Sequence, residues 1–235
     1  WVDRRLPRWA EPYARLARLD RPIGTWLLLF PGWWGIALAA PGWPDLRLLV
    51  LFALGAVVMR GAGCTLNDIA DRDIDARVAR TRTRPIPSGR LSVRQAILFM
   101  HLQLAIGAAV LLSLNLASIR LGVLVLALIV TYPYMKRVTY WPQVFLGLAF
   151  SWGALMGWPA AFGRLDAPAL ILYGGSIAWV IGYDTSYAHQ DREDDLLIGI
   201  KSTALLFGQR TAPMLAIFYA LAIVLIGFAG FMTGG

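Results

Sequence analysis

Long runs without a charged side chain constrain this chain more than any other feature. Residues 22–44, 95–119, 121–135, 138–163, 167–183 and 211–235 hold no Lys, Arg, Asp or Glu, and 48–67 is interrupted only by Arg60. A bilayer-spanning helix needs about 20 mostly apolar residues, and in hydrocarbon its backbone polar groups must be satisfied internally. The runs are continuously apolar rather than alternating, which disfavours a β-barrel. The expected fold is an all-α polytopic membrane bundle. Charged residues make up 15% of the chain, against about 25% in soluble domains. Disordered, collagen-like and disulfide-scaffold classes are excluded, the last because Cys64 is the single cysteine. The net charge of +8 does not indicate a nucleic-acid partner, because the charges lie between apolar runs rather than on one soluble face. The partner these runs require is the lipid bilayer.

Seven transmembrane helices are expected, at about 22–43, 46–66, 95–116, 119–135, 141–162, 168–187 and 212–233. The fourth is short and requires Arg120 to snorkel to the interface. The charged leader, apolar run and Ala37-Leu38-Ala39 loosely mimic a secretory signal, but the run exceeds the usual h-region of about 7–15 residues. It reads as a retained first helix. With the N-terminus cytoplasmic, eighteen Lys and Arg fall on the inner side and three (Arg47, Arg120, Arg164) on the outer side, as the positive-inside rule demands. Two long inner segments, about 67–94 and 188–211, carry eight of the fourteen acids. Long loops on one face are where function usually lies. The whole of 1–235 reads as a single integral membrane domain. Its opening at Trp1 leads us to expect a missing N-terminus.

The two acidic segments echo each other. Asn67-Asp68-Ile69-Ala70-Asp71-Arg72-Asp73-Ile74-Asp75 closes the second helix, and Asp191-Arg192-Glu193-Asp194-Asp195, preceded by Tyr187, closes the sixth. Each has carboxylates at i, i+4. Basic residues and a Ser or Thr follow before the next apolar run, as in a duplicated unit whose acidic ends face one cavity. Helical spacing places Asn67, Asp71 and Asp75 on one stripe with Asp68 beside them, and Arg60 two turns earlier. Asp184, Tyr187, Asp191 and Asp195 form the matching stripe. Like charges at i, i+4 repel, so both pairs call for a counter-charge. Dense oxygen ligands without His or Cys suit a hard cation, with Mg²⁺ the leading candidate, held by one or two carboxylates, waters and substrate phosphates. Arg80, Arg82, Arg84 and Lys201 are placed to hold other phosphate oxygens of a diphosphate.

These residues carry a resemblance. Asn67-Asp68-x-x-Asp71-x-x-x-Asp75 resembles the first signature of the UbiA superfamily of membrane prenyltransferases, and Asp191-x-x-x-Asp195 resembles the second. Leu19-Asp20-Arg21-Pro22-Ile23-Gly24, Arg84-Pro85-Ile86-Pro87-Ser88-Gly89, Tyr132-Pro133-Tyr134-Met135-Lys136-Arg137 and Gly199-Ile200-Lys201-Ser202-Thr203 are similar to the branch that prenylates 4-hydroxybenzoate in ubiquinone synthesis. The family typically has nine transmembrane helices, which implies that two C-terminal ones are missing here. The resemblance implies Mg²⁺ held by Asp68, Asp71, Asp75, Asp191 and Asp195, binding polyprenyl diphosphate. Asp71, Asp75, Asp191 and Asp195 are the expected catalytic residues. Arg60, Asn67, Arg72, Arg80, Arg84, Tyr134, Lys136, Arg137, Tyr187 and Lys201 are the expected substrate-binding residues. Arg60 would bind the benzoate carboxylate. The tyrosines, with Tyr132 and Tyr183, would face a developing allylic cation, and Asp191 would assist the phenol. A bacterial inner (cytoplasmic) membrane, with the site facing the cytoplasm, is the expected location.

Other readings stay open on the residues alone. Membrane carboxylates also mark cation-coupled transporters, although these acids cluster at one membrane edge. Phosphatidyltransferases acting on CDP-alcohols use spaced membrane Asp residues too, but their Asp-Gly-x-x-Ala-Arg start is absent. Homogentisate, a naphthoate, haem or a chlorophyllide are alternative acceptors.

Overall fold

The computed structural model describes residues 2–79, 81–192, 196–197 and 199–234, and for Asp3, Arg4 and Asp191 the backbone only. It is helical, with no strand among the described residues. Two short helices, α1 (Val2–Arg5) and α2 (Glu11–Leu16), precede α3 (Ile23–Leu38) and α4 (Leu46–Ala70). A four-residue helix, α5 (Arg72–Asp75), leads to α6 (Val93–Leu112), α7 (Leu116–Val138), α8 (Pro142–Phe150) and α9 (Trp152–Phe162). Then come α10 (Ala167–Ala188), α11 (Thr203–Phe207) and α12 (Thr211–Met232).

Five segments among the described residues are long and apolar enough to cross a membrane: Leu46–Ala70, Val93–Leu112, Leu116–Val138, Pro142–Phe162 and Thr203–Met232. Seven were expected. Of the other two, α3 is apolar but only 16 residues long, because Pro41 and Gly42 cut the run short. The other, α10, has 22 residues but ends in the polar stretch Tyr183-Asp184-Thr185-Ser186-Tyr187. The fourth span is longer than its apolar run suggests. It starts at Leu116, capped by Asn115 Oδ1 accepting from the Ser118 N–H at 3.0 Å. The fifth is broken at Ser151 into α8 and α9.

The chain divides into two compact units, one from the start to Trp26 and Ala53–Ser113, the other from Leu27–Phe52 and everything from Leu114 on. In the first, Leu16, Ile86, Leu91 and Ala96 form a buried cluster against Tyr13, Ile69, Val93 and Phe99. That cluster pins the loop before α6 onto α2. A Ser92–Gln95 capping box starts α6. In the second, α3 and α9 approach through glycine: a Cβ on Gly157 would stand 2.5 Å from the Gly32 carbonyl oxygen and 2.8 Å from the Ile36 nitrogen. Small residues let membrane helices pack this closely, which replaces the water-driven burial unavailable in lipid. Ala154, Leu172 and Ala229 are buried beside Trp34 and Tyr173 and tie α9, α10 and α12 together.

Candidate active site

The first acidic motif lies at the polar end of α4. Asp68 is 0%, Asp71 1% and Asp75 6% exposed, which is rare for carboxylates unless they are paired. The helix does not run straight through them. α4 ends at Ala70, and Asp71, at φ −101° and ψ 4°, begins α5. The Asp71 N–H still donates to the Asn67 carbonyl at 2.9 Å, and the Asp75 N–H to the Asp71 carbonyl at 2.8 Å. The unbroken stripe expected from spacing is therefore bent at Asp71. The Thr81 hydroxyl donates to the Asp75 carbonyl at 2.9 Å, which fixes the following loop beneath it.

Two arginines reach this set. Arg84 Nη1 donates to Asp75 Oδ2 at 2.7 Å and to Asp68 Oδ1 at 3.1 Å. Arg18 Nη2 donates to both Asp68 oxygens, at 2.7 and 2.9 Å. Arg84 was expected at the site; Arg18 was not singled out. Its signal was indirect, since a buried Asp68 demands a cation but many arginines are available. Arg18 also has φ 57°, unlike any other non-glycine residue described, a conformation costing about 1–3 kcal/mol. Burial is the main force pushing the Asp75 carboxyl above the usual carboxylate range; the charges of Asp68 and Asp71 add to it, and Arg84 opposes it. For Arg18, burial works against the charge, but Asp68 together with Cys64 and Asp20 outweighs it and its pKa is raised.

The remaining expected residues divide. Arg60 donates to Cys64 Sγ at 2.6 Å, and Gly24 lies so close to its guanidinium that a Cβ there would collide with it. Arg72 is half exposed and pairs with Asp73 at 3.6 Å. In the second unit, the end of α7 gathers four of them. The Arg137 guanidinium lies 5.7 Å over the Tyr134 ring, the Lys201 N–H donates to the Lys136 carbonyl at 2.9 Å, and Lys201 Nζ donates to the Val138 carbonyl at 3.0 Å. The Thr203 N–H donates to Gln143 Oε1 at 3.1 Å, and the Thr203 and Thr185 hydroxyls bond at 2.7 Å, joining this loop to α10. The second acidic stripe is cut short: α10 ends at Ala188, and His189–Asp191 form a 3₁₀ turn. Tyr187 is half exposed. Arg80, Asp195 and the Asp191 side chain lie outside the described residues.

Among the described residues no three His, Cys, Asp or Glu side chains converge to hold a metal by themselves. Mg²⁺ does not need three, since it usually keeps several waters and takes one or two carboxylates plus substrate phosphates. The all-oxygen donors and the two buried carboxylates, of which Asp75 is met by a single Arg84 nitrogen, fit such a site at Asp71 and Asp75. Both oxygens of Asp68 already carry a guanidinium.

The UbiA prenyltransferase family model matches residues 28–235. The chain is 56% identical to 4-hydroxybenzoate polyprenyltransferase, mitochondrial, of Drosophila pseudoobscura pseudoobscura, covering 94% of this chain and 56% of that one. It is 52% identical to the human protein of the same name, covering 97% and 62%. It thus spans a little over half the length of these relatives. Among solved structures, the apo structure of a UbiA homolog from Aeropyrum pernix K1 superposes with a TM-score of 0.76 at 30% identity, covering 87% of this chain and 78% of that one. A UbiA homolog from Archaeoglobus fulgidus bound to GPP and Mg²⁺ gives 0.74 at 22%, covering 94% and 78%.

These relatives correct one expectation. They are named as mitochondrial enzymes of eukaryotes, so the placement in a bacterial inner membrane with a cytoplasm-facing site is withdrawn. The asymmetry of Lys and Arg compares the two sides of a membrane; it does not say which membrane. A multi-pass membrane protein remains. On its family match and on the 30%-identical structure, the chain belongs to the UbiA prenyltransferase family.

Proposed function

We propose that the protein is a Mg²⁺-dependent aromatic prenyltransferase, moving a polyprenyl group from polyprenyl diphosphate to the ring carbon ortho to the hydroxyl of 4-hydroxybenzoate, in ubiquinone biosynthesis. The observation that carries this reading is the buried Asp71–Asp75 pair at the polar end of an apolar helix, where Asp75 is held above the usual carboxylate range despite Arg84. Such a site favours an added cation. The names of the relatives support the acceptor and donor, and the GPP and Mg²⁺ bound by the Archaeoglobus homolog support the metal.

In this reading Asp71 and Asp75 hold the metal, and Asp191 and Asp195 have the matching role in the second motif. The metal supplies charge neutralisation for the departing diphosphate. Arg84, Arg80, Lys136, Arg137 and Lys201 bind phosphate oxygens, with Asn67 and Arg72 at the margin. The allylic C–O bond breaks and its electron pair leaves with the diphosphate. Tyr132, Tyr134, Tyr183 and Tyr187 face the resulting cation, and apolar walls keep water from it. The ring carbon then forms the new C–C bond while Asp191 assists the phenol, and the ring proton passes to a base. Arg60 binds the benzoate carboxylate.

The test is turnover by detergent-purified protein given geranyl diphosphate and 4-hydroxybenzoate, with Mg²⁺ or EDTA, read by mass spectrometry. The expected result is 3-geranyl-4-hydroxybenzoate with Mg²⁺ and none with EDTA. Diphosphate binding without this product would redirect the acceptor to homogentisate or a naphthoate. No diphosphate binding would overturn prenyl transfer in favour of a cation-coupled transporter. For Arg60, a charged hydrogen bond is worth about 1.5–3 kcal/mol. Arg60→Ala should therefore raise KM for 4-hydroxybenzoate about 10–100-fold while changing that for geranyl diphosphate less than about threefold. Equal effects on both substrates would remove Arg60 from the acceptor pocket.

A further inference from the structure

We infer that Asp68 is a held carboxylate rather than a metal ligand, and that Arg18 is the positioning residue that holds it, acting through Asp68 to aim Arg84 at the diphosphate. The inference rests on the function proposed above. It begins at the end of α2. Helices commonly close with a left-handed residue just past the C-cap, and glycine is the usual choice because it has no Cβ to strain. Here the C-cap is Ala17, and the left-handed residue after it is Arg18. The Arg18 N–H and Nη1 both donate to the Arg15 carbonyl, each at 3.0 Å, so the strained turn is fixed at both ends. Backbone geometry alone would select glycine. What arginine adds at this position, against the strain, is its side chain.

That side chain spans from α2 to α4 and lays Nη2 against both oxygens of Asp68. A guanidinium does not release its proton, so Asp68 is permanently neutralised. Asp75 differs, because it shares a single Arg84 nitrogen with Asp68. When Asp75 turns to a metal, Arg84 stays tethered by Asp68, and Asp68 stays tethered by Arg18. Arg18, Asp68 and Arg84 form a relay of fixed charges, and Asp75 at its end is the carboxylate free to exchange partners.

Mn²⁺ titration followed by electron paramagnetic resonance in the presence of geranyl diphosphate, with KM measured in parallel, tests this. Asp75→Asn should weaken Mn²⁺ binding about 10–100-fold. Asp68→Asn and Arg18→Ala should leave it within about threefold of the unaltered protein while raising KM for geranyl diphosphate at least about tenfold. Arg18→Lys should recover part of that KM. Arg18→Gly should melt about 2–4 °C above Arg18→Ala, because glycine accepts the left-handed turn, yet share its raised KM. Loss of Mn²⁺ in Asp68→Asn matching that in Asp75→Asn would make Asp68 a ligand and overturn the inference. So would a normal KM in Arg18→Gly, which would leave Arg18 a backbone role only. If Asp68→Asn fails to fold, the three Arg18 variants decide. Unaltered protein that binds no Mn²⁺ with the diphosphate overturns the proposed function itself, and this inference with it.

Discussion

Asp71→Asn is expected to lower prenyl transfer about 10²–10³-fold, the scale seen when one charge-stabilising group is removed from an active site, while the protein still folds. Asn has the same shape as Asp, so the buried position, 1% exposed, stays filled. Asp71 is also one of the charges that raise Asp75, so the substitution relieves a repulsion rather than creating one. The sign follows from linkage. A carboxyl whose folded pKa lies above its unfolded value costs stability as pH rises from the unfolded value through the folded one. Asp71→Asn narrows that window by bringing Asp75 back toward 3.8. The melting temperature should hold or rise slightly, and the Mg²⁺ needed for half-maximal rate should increase. Asp191→Asn should show the same loss of rate. Normal turnover in Asp71→Asn would sink the metal assignment; a collapsed melting temperature would make Asp71 structural.

The fold was legible because its cause is written along the chain: charge-free runs of spanning length require helices, and α4, α6, α7 and α12 lie where the runs lie. What escaped was set by neighbours. The bend at Asp71 does not show in a motif whose i, i+4 spacing reads as one helix. The break at Ser151 lies inside an uninterrupted apolar run, and Pro41-Gly42 shortens α3 by several residues. The acids of the first motif could be named from spacing, and Arg84 from the stretch that resembles the family. Arg18 could not, because its partnership with Asp68 joins positions 50 residues apart, and only packing selects it from the other arginines. The membrane's identity escaped for a different reason, since charge asymmetry carries no information about it.

Arg84→Ala is expected to destabilise the protein by about 3–5 kcal/mol in the absence of divalent cations, the usual cost of stranding a buried charge by removing its partner. Asp68 keeps Arg18, so the stranded group is Asp75, whose side chain is 9% exposed. Its charge then has burial, Asp68 and Asp71 all against it. If Asp71 and Asp75 bind a metal, the same vacancy gives a second, opposite expectation. Mg²⁺ should restore much of the lost stability in Arg84→Ala, by about 2.7 kcal/mol at a hundred times its dissociation constant, and Na⁺ at matched ionic strength should not. Arg84→Ala/Asp75→Asn should recover without any metal, because the pair is then removed together and the losses are not additive. Thermal unfolding of the single and double variants with and without Mg²⁺ reads all of this. A single variant as stable as the unaltered protein would mean that water already reaches Asp75. A destabilised one indifferent to Mg²⁺ would mean that the site between Asp71 and Asp75 does not accept the cation, and that the arginine, not a metal, is their permanent partner.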